Sequence, residues 1–259
     1  MENRLQGRTA VVTGASRGIG LAVVRALAAE GAHVVAGARK LGPELAAVID
    51  CSDVTFVAAD LKEPAAAAEL VAAAGDRIDV LVNNVGGAPA RTDGFLAITD
   101  DQWQATLELN LLAAVRTTRA AIPLMIAAGG GGIVNISSVN AILPEALVVD
   151  YSAAKAALSA FTKAISKEFG PQGIRANTVS PGPVATDLWL AADGVAATVS
   201  RSAGIPADEV AATASAAMVT GRFSTPEEVA EIVVMLARDR GGNITGADFR
   251  IDGGYVPTW

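Results

Sequence analysis

Tyr151 stands four residues before Lys155 and thirteen after Ser138. On a helix, side chains at i and i+4 share a face and lie about 6 Å apart along the axis. Ala153, Ala154, Ala156, Ala157 and Leu158 surround the pair with strong helix formers. An ammonium so placed favours ionisation of the phenol, whose unperturbed pKa near ~10 is too high for easy proton exchange at neutral pH. A phenol tuned in this way is a usable general acid or base, and the Ser138 hydroxyl could hydrogen-bond the same oxygen that it acts on. The chain has only two tyrosines, and chance places a Tyr four before a Lys about 0.04 times in such a sequence, so the pair carries weight. The plain alternative is an amphipathic helix with an incidental exposed lysine.

Such a group needs a reaction partner, and the N-terminal region offers a place for one in Thr13-Gly14-Ala15-Ser16-Arg17-Gly18-Ile19-Gly20. In a chain with 26 glycines this spacing arises by chance about 0.3 times, so context decides its meaning. Thr9 to Thr13 is a short buried-strand run, and Ile19 to Ala29 repeats apolar residues at helical spacing. The glycines therefore lie at a strand-to-helix junction, where absent side chains and unpaired helix N–H groups let a pyrophosphate approach. A nucleotide-hydrolase loop would continue with Gly-Lys-Ser/Thr, and none follows Gly18 or Gly20. A glycine-rich turn with no ligand is the remaining alternative.

The elements that must position these residues alternate along the chain. Strands are expected at 8–13, 33–37, 55–58, 79–83, 132–136, 174–179 and 248–251, and helices at 18–30, 41–49, 64–74, 100–127, 150–169 and 226–238. This is the pattern of one doubly wound α/β domain over 1–259, a seven-stranded, mostly parallel sheet with helices on both faces. Residues 1–130 would form mainly the cofactor half, and 131–259 the catalytic and substrate half. Thr99 with Gln102, and Thr225 with Pro226 and Glu228, read as capping boxes. No linker divides the chain.

Composition narrows the function classes. Hydrophobic residues make up 51%, ample for a core, while Arg116, Arg119, Pro123 and glycines are expected to break every apolar stretch before a membrane span of about 20 residues. Met1-Glu2-Asn3-Arg4-Leu5 lacks the apolar centre of a signal peptide. Cys51 is alone, which precludes an intrachain disulfide and fits a reducing cytoplasm. A net charge of -7 argues against a nucleic-acid partner. One His and one Cys leave no zinc cluster, so no metal is expected.

Further segments join these motifs. Asp60-Leu61, Asn83-Asn84-Val85-Gly86, Asn110, Ile133 to Ser138 and Pro181-Gly182-Pro183-Val184-Ala185-Thr186 follow in order. Together they resemble the short-chain dehydrogenase/reductase family along almost the whole chain, with Val85 in place of an Ala. The resemblance implies a Rossmann-type fold and hydride transfer between a nicotinamide cofactor and a carbonyl or secondary alcohol. It implies cofactor contacts from Gly14, Ser16, Arg17, Gly18, Ile19 and Gly20, from Asp60 and Leu61, from Asn84 and Gly86, and from Pro181, Gly182, Val184 and Thr186. Tyr151 would exchange the proton, Ser138 would bind the reacting oxygen, and Lys155 would lower the Tyr151 pKa and hold the nicotinamide ribose. Asn110 would hold a water linking Lys155 to solvent. Ser138 could instead simply end a strand, and Asn110 could be a buried helix polar group satisfied by backbone.

The second strand ends in Val34-Val35-Ala36-Gly37-Ala38-Arg39-Lys40, with no carboxylate to take the ribose hydroxyls of NAD. Arg39 and Arg17 offer forked cations suited to a phosphate monoester, so NADP(H) is expected over NAD(H). Solvent-exposed arginines on a turn are the alternative. Candidate substrate walls are Leu143, Leu147 and Val148, residues 87–95, and the stretch 187–220 with Trp189, which suits a lid over an apolar pocket or packing against a second subunit. Relatives that reduce acyl groups on a carrier protein show basic residues near the site, whereas 126–132 has no Lys or Arg. Free ketones or alcohols are therefore expected. Three readings stay open: an NADPH-dependent carbonyl reductase, an NAD(P)-dependent alcohol dehydrogenase working oxidatively, and a cofactor-binding sensor or scaffold without turnover. Family members are commonly tetramers, so a homotetramer or homodimer is expected, with helices 100–127 and 150–169 as contact surfaces.

Overall fold

Short apolar runs rich in β-branched residues form the central strands, buried on both faces, while the edge strands are partly exposed, and all seven expected strands are present. In the computed structural model, which describes residues 5–258 apart from the Arg240 side chain, they are β1 (Thr9–Thr13), β2 (His33–Ala38), β3 (Val54–Ala58), β4 (Val80–Asn83), β5 (Gly131–Ile136), β6 (Ile174–Pro181) and β7 (Asp248–Ile251). The reading of the first five residues as lacking a signal-peptide core falls, except for Leu5, outside the described residues. The sheet order is β3-β2-β1-β4-β5-β6-β7, and every pairing is parallel. The order reverses between β1 and β4, which leaves a crevice at their carboxyl ends.

The helices are α1 (Gly18–Ala29), α2 (Pro43–Ile49), α3 (Ala66–Ala72), α4 (Asp100–Leu107), α5 (Ala113–Ala127), α6 (Val149–Glu168), α7 (Asp187–Leu190), α8 (Val195–Ala203), α9 (Ala207–Ala216) and α10 (Pro226–Ala237). They cover both faces, as the alternation of side chains along each strand requires. Val12, Val34 and Val134 turn towards Leu21, Val24 and Leu27 of α1 and Val229, Val233 and Leu236 of α10. Val11, Val35, Leu81 and Ile133 turn the other way, onto Leu70 and Val71 of α3 and Ala121 and Met125 of α5. Both expected capping boxes form, Thr99 with Gln102 and Thr225 with Glu228.

Two expectations need correction. The single helix expected over 100–127 is divided by a π-helical turn at Glu108–Leu112, an inserted residue being absorbed without ending the helix. The unit Asp100–Ala127 is also, by length and composition, apolar enough to cross a membrane, contrary to the expectation that charges and Pro123 cut every such stretch short. Its apolar face is instead spent on the sheet through Ala121, Ile122 and Met125, and Glu108 and Arg116 pair along it at 2.7 Å.

The amino-end rim of the sheet is tied by ions. Asp79, 4% exposed, accepts from Arg8 at 2.7 Å, from Arg77 through two nitrogens and from Thr9 N at 2.9 Å. Burial pushes the Asp79 carboxyl up, but the Arg77 and Arg8 hydrogen bonds outweigh it and leave the group below the usual range. Arg175 and Asp239 line the same polar cleft.

Candidate active site

The carboxyl rim gathers the predicted chemistry. β5 ends at Ile136, Ser138 follows within two residues, and Tyr151 and Lys155 occupy the first turns of α6. Lys155 is buried, donates from Nζ to Ile136 O at 2.7 Å, and lies 5.6 Å from the centre of the Tyr151 ring. Ser138 Oγ accepts from Asn140 N at 3.1 Å and donates to Asn140 Oδ1 at 3.2 Å, and it lies near enough to the Tyr151 phenol to favour its ionised form. Phenol, amine and hydroxyl thus share one site.

Electrostatics in this site differs from expectation. Burial pushes the Tyr151 phenol above its ordinary value, with nearby Ser138 pulling it partly back. Burial also pushes the Lys155 amine down to about 8. The expected lowering of the phenol by Lys155 is therefore not the net outcome, because desolvation disfavours the charged form of both groups.

Asn110 sits in the π turn and is 1% exposed. Its Oδ1 accepts from Gly87 N at 3.0 Å, and its Nδ2 donates to Gly87 O and Thr106 O, each at 3.0 Å. The side chain is thus bonded to backbone, the alternative left open by the sequence. Gly86 brings the strand end close: a Cβ there would lie 2.8 Å from Asn110 Oδ1 and 3.3 Å from Lys155 Nζ.

The glycine turn fits a dinucleotide. Gly14 and Gly18 have φ of 65° and 55°, in the left-handed region that favours glycine. A Cβ on Gly20 would strike Gly14 O at 2.2 Å. Helix α1 begins with no side-chain cap and no acidic residue in its first turn, unlike α4 and α10, so its N–H groups remain for an anion. Asn84 braces this turn, donating from Nδ2 to Thr13 O and Gly14 O at 3.1 Å each. Ser16 is half-buried, and Ile19, also half-buried, packs on the core. Arg39 is exposed just past β2. Beyond β3, Asp60 is exposed, with Oδ1 accepting from Lys62 N at 3.2 Å, and Leu61 is buried. From β6, Pro181, Gly182 and Val184 lead to Thr186, whose Cγ2 would lie 3.3 Å from a Cβ on Gly18. Arg17 Nη1 meets Asp187 Oδ2 at 3.2 Å.

The expected substrate walls come from segments distant in sequence. Leu143 and Leu147 are half-buried, and Val148 is buried. The expected lid at 187–220 is built from α7, α8 and α9, with Trp189 against Phe223 at 5.3 Å between ring centres. Tyr255 donates to Glu145 Oε1 at 3.1 Å across 110 positions. Sequence reading missed this contact, the Asn140 partner of Ser138, and the pairing of Arg91 with Asp150. The one local signal was an Asp directly before Tyr151. Among the described residues no cluster of His, Cys, Asp or Glu could hold a metal ion.

Known proteins are similar to this chain in sequence and fold. Residues 8–193 match the family model of short chain dehydrogenases. A D-threitol dehydrogenase of Mycolicibacterium smegmatis is 37% identical, over 98% of this chain and 94% of its own. A 3-alpha-(or 20-beta)-hydroxysteroid dehydrogenase of Mycobacterium tuberculosis is 35% identical, over 99% of this chain and 92% of its own. The crystal structure of L-sorbose reductase from Gluconobacter frateurii, complexed with NADPH and L-sorbose, superposes with a TM-score of 0.91 at 31% identity and full coverage of both chains. The seven-stranded parallel sheet, the glycine turn at its reversal and this breadth of likeness together make the chain a member of the short-chain dehydrogenase family, oxidoreductases that act on CH–OH groups with a nicotinamide cofactor.

Proposed function

We propose that this protein is an NADP(H)-dependent carbonyl reductase acting on a free small-molecule ketone. The observation that carries the reading is the convergence of half-buried Tyr151 with buried Ser138 and Lys155 at the crevice rim. Bound NADPH supplies the hydride. Tyr151 Oη gives its proton to the carbonyl oxygen as charge develops there, and Ser138 Oγ donates a hydrogen bond to the same atom. Lys155 holds the ribose and, when protonated, favours the phenolate that remains. Asn110 keeps the π turn and Gly87 in place beside the amine.

A panel of ketones and alcohols, followed at the nicotinamide absorbance band in both directions, tests the reading. The name of the D-threitol relative favours a second reading, oxidation of an alcohol, and faster initial rates with NADP+ or NAD+ and alcohols would establish it. If the cofactor binds and no panel member reacts, a sensor or scaffold replaces both.

Preference for NADP(H) rests on Arg39 and Arg17 and on the lack of a carboxylate at the end of β2. Arg39→Ala is expected to weaken NADPH binding about 10- to 100-fold, the worth of a charge-assisted hydrogen bond, and to leave NADH binding unchanged. Titration of protein fluorescence with each cofactor checks this. Gly20→Ala forces Cβ onto Gly14 O and is expected to weaken both cofactors alike. Equal affinity in that variant would remove the turn from the cofactor site. Assembly as a homotetramer or homodimer through the α4–α5 and α6 surfaces, and a cytoplasmic location, complete the proposal.

A further inference from the structure

Arg91 lies between β4 and α4, in one wall of the proposed substrate cleft, and its side chain is 12% exposed. Asp150, directly before Tyr151, is fully buried. The two are 59 positions apart, yet Arg91 donates to Asp150 Oδ2 from Nε at 3.1 Å and again from Nη2. Thr106 Oγ1 donates to the same oxygen at 2.7 Å, and Arg91 Nη2 reaches Thr106 Oγ1 at 3.2 Å. The main chain joins in, with Arg91 N donating to Leu147 O at 2.7 Å. Thr106 O in turn receives Asn110 Nδ2, whose amide also grips Gly87.

Residues 87–91 are therefore fastened at two points. Gly87 is held to the π turn beside Lys155, and Arg91 is held to the start of the helix that carries Tyr151. An ion pair buried this deeply adds little net stability, because desolvation offsets the attraction. It does impose one arrangement on the three segments that meet there.

We infer that Arg91 is a positioning residue: acting through Asp150, it fixes the distance between the 87–95 loop and the start of α6, and so the width of the cleft in which a carbonyl meets Tyr151. The inference rests on the reductase reading for its consequence in turnover, but not for the clamp itself.

The diagnostic variant is Arg91→Met/Asp150→Leu, which removes both charges together and leaves neither as an uncompensated buried ion. On the full-length protein it is expected to bind NADPH as the parent does. Its Arg91 amide is expected to exchange hydrogen about tenfold faster or more, as the bond to Leu147 O loosens. Its preference for a small over a bulky ketone in kcat/KM is expected to fall about tenfold, mainly through KM. Arg91→Lys keeps the charge without the fork and is expected to recover part of that preference. Unchanged exchange across 86–95 overturns the inference, whether or not any ketone is reduced, and so does an unchanged preference. If the double variant does not fold, Arg91→Lys carries the same two measurements against the parent, with the same outcomes. A parent chain that reduces no ketone tells against the reductase reading, and exchange then decides the clamp alone.

Discussion

Replacing Tyr151 with Phe is expected to lower kcat about 10²- to 10⁴-fold, the usual contribution of a positioned general acid. The ring stays in its place beneath Lys155 and loses only the hydroxyl that meets Ser138. The buried volume is kept, so the melting temperature is expected to move little and NADPH titrations to overlay those of the parent. Turnover within a few-fold of the parent would remove Tyr151 from the chemistry and leave the proton to another group. A loss of cofactor binding equal to the loss of turnover would assign the phenol to binding instead.

Lys155→Met is expected to abolish most turnover and yet stabilise the fold. Burial holds the amine near 8 against its ordinary 10.5, so below about pH 8 the folded protein carries a desolvated charge that the unfolded chain carries in water. Between about 8 and 10.5 the unfolded chain holds a proton that the folded protein has released, so the stability of the parent rises with pH in that window. The full cost of the buried charge is on the order of 3 kcal/mol. Removing it, less the lost bond to Ile136 O, is expected to raise stability at pH 7 by about 1–3 kcal/mol. Denaturant unfolding at pH 7 and pH 10 checks the sign: the gain must be larger at pH 7. In the parent, turnover in the reductive direction is expected to fall as pH rises through about 8, where the amine becomes neutral. A variant less stable at both pH values, or a parent profile flat through pH 8, would show that the amine is not a costly cation in the resting site.

Legibility differed by length scale. The seven strands and the two capping boxes were readable because each is written within a few neighbouring residues: apolar runs for a sheet covered on both faces, and Thr with Gln102 or Glu228 at fixed spacing. Ser138, Tyr151 and Lys155 were readable because α6 and the end of β5 convert their spacing directly into proximity. The π turn at Glu108–Leu112 was not, since no local residue pattern marks it, and the bonds that Asn110 makes within it go to Gly87, a residue on another segment. Arg91 and Asp150 could not be joined for the same reason. The direction of the Tyr151 shift depends on how much chain closes over it, which spacing does not encode. The three helices within 187–220 were not read from the sequence, although Gly194 and Gly204-Ile205-Pro206 mark the breaks between them.

All strands run the same way, so Ser138, Tyr151, Lys155 and the glycine turn crowd one rim, while Asp79 with Arg8 and Arg77 knots the other. The two sets have no residue in common. A substitution among the ion pairs at the floor of the sheet therefore leaves the contacts of Ser138, Tyr151 and the glycine turn at its mouth untouched.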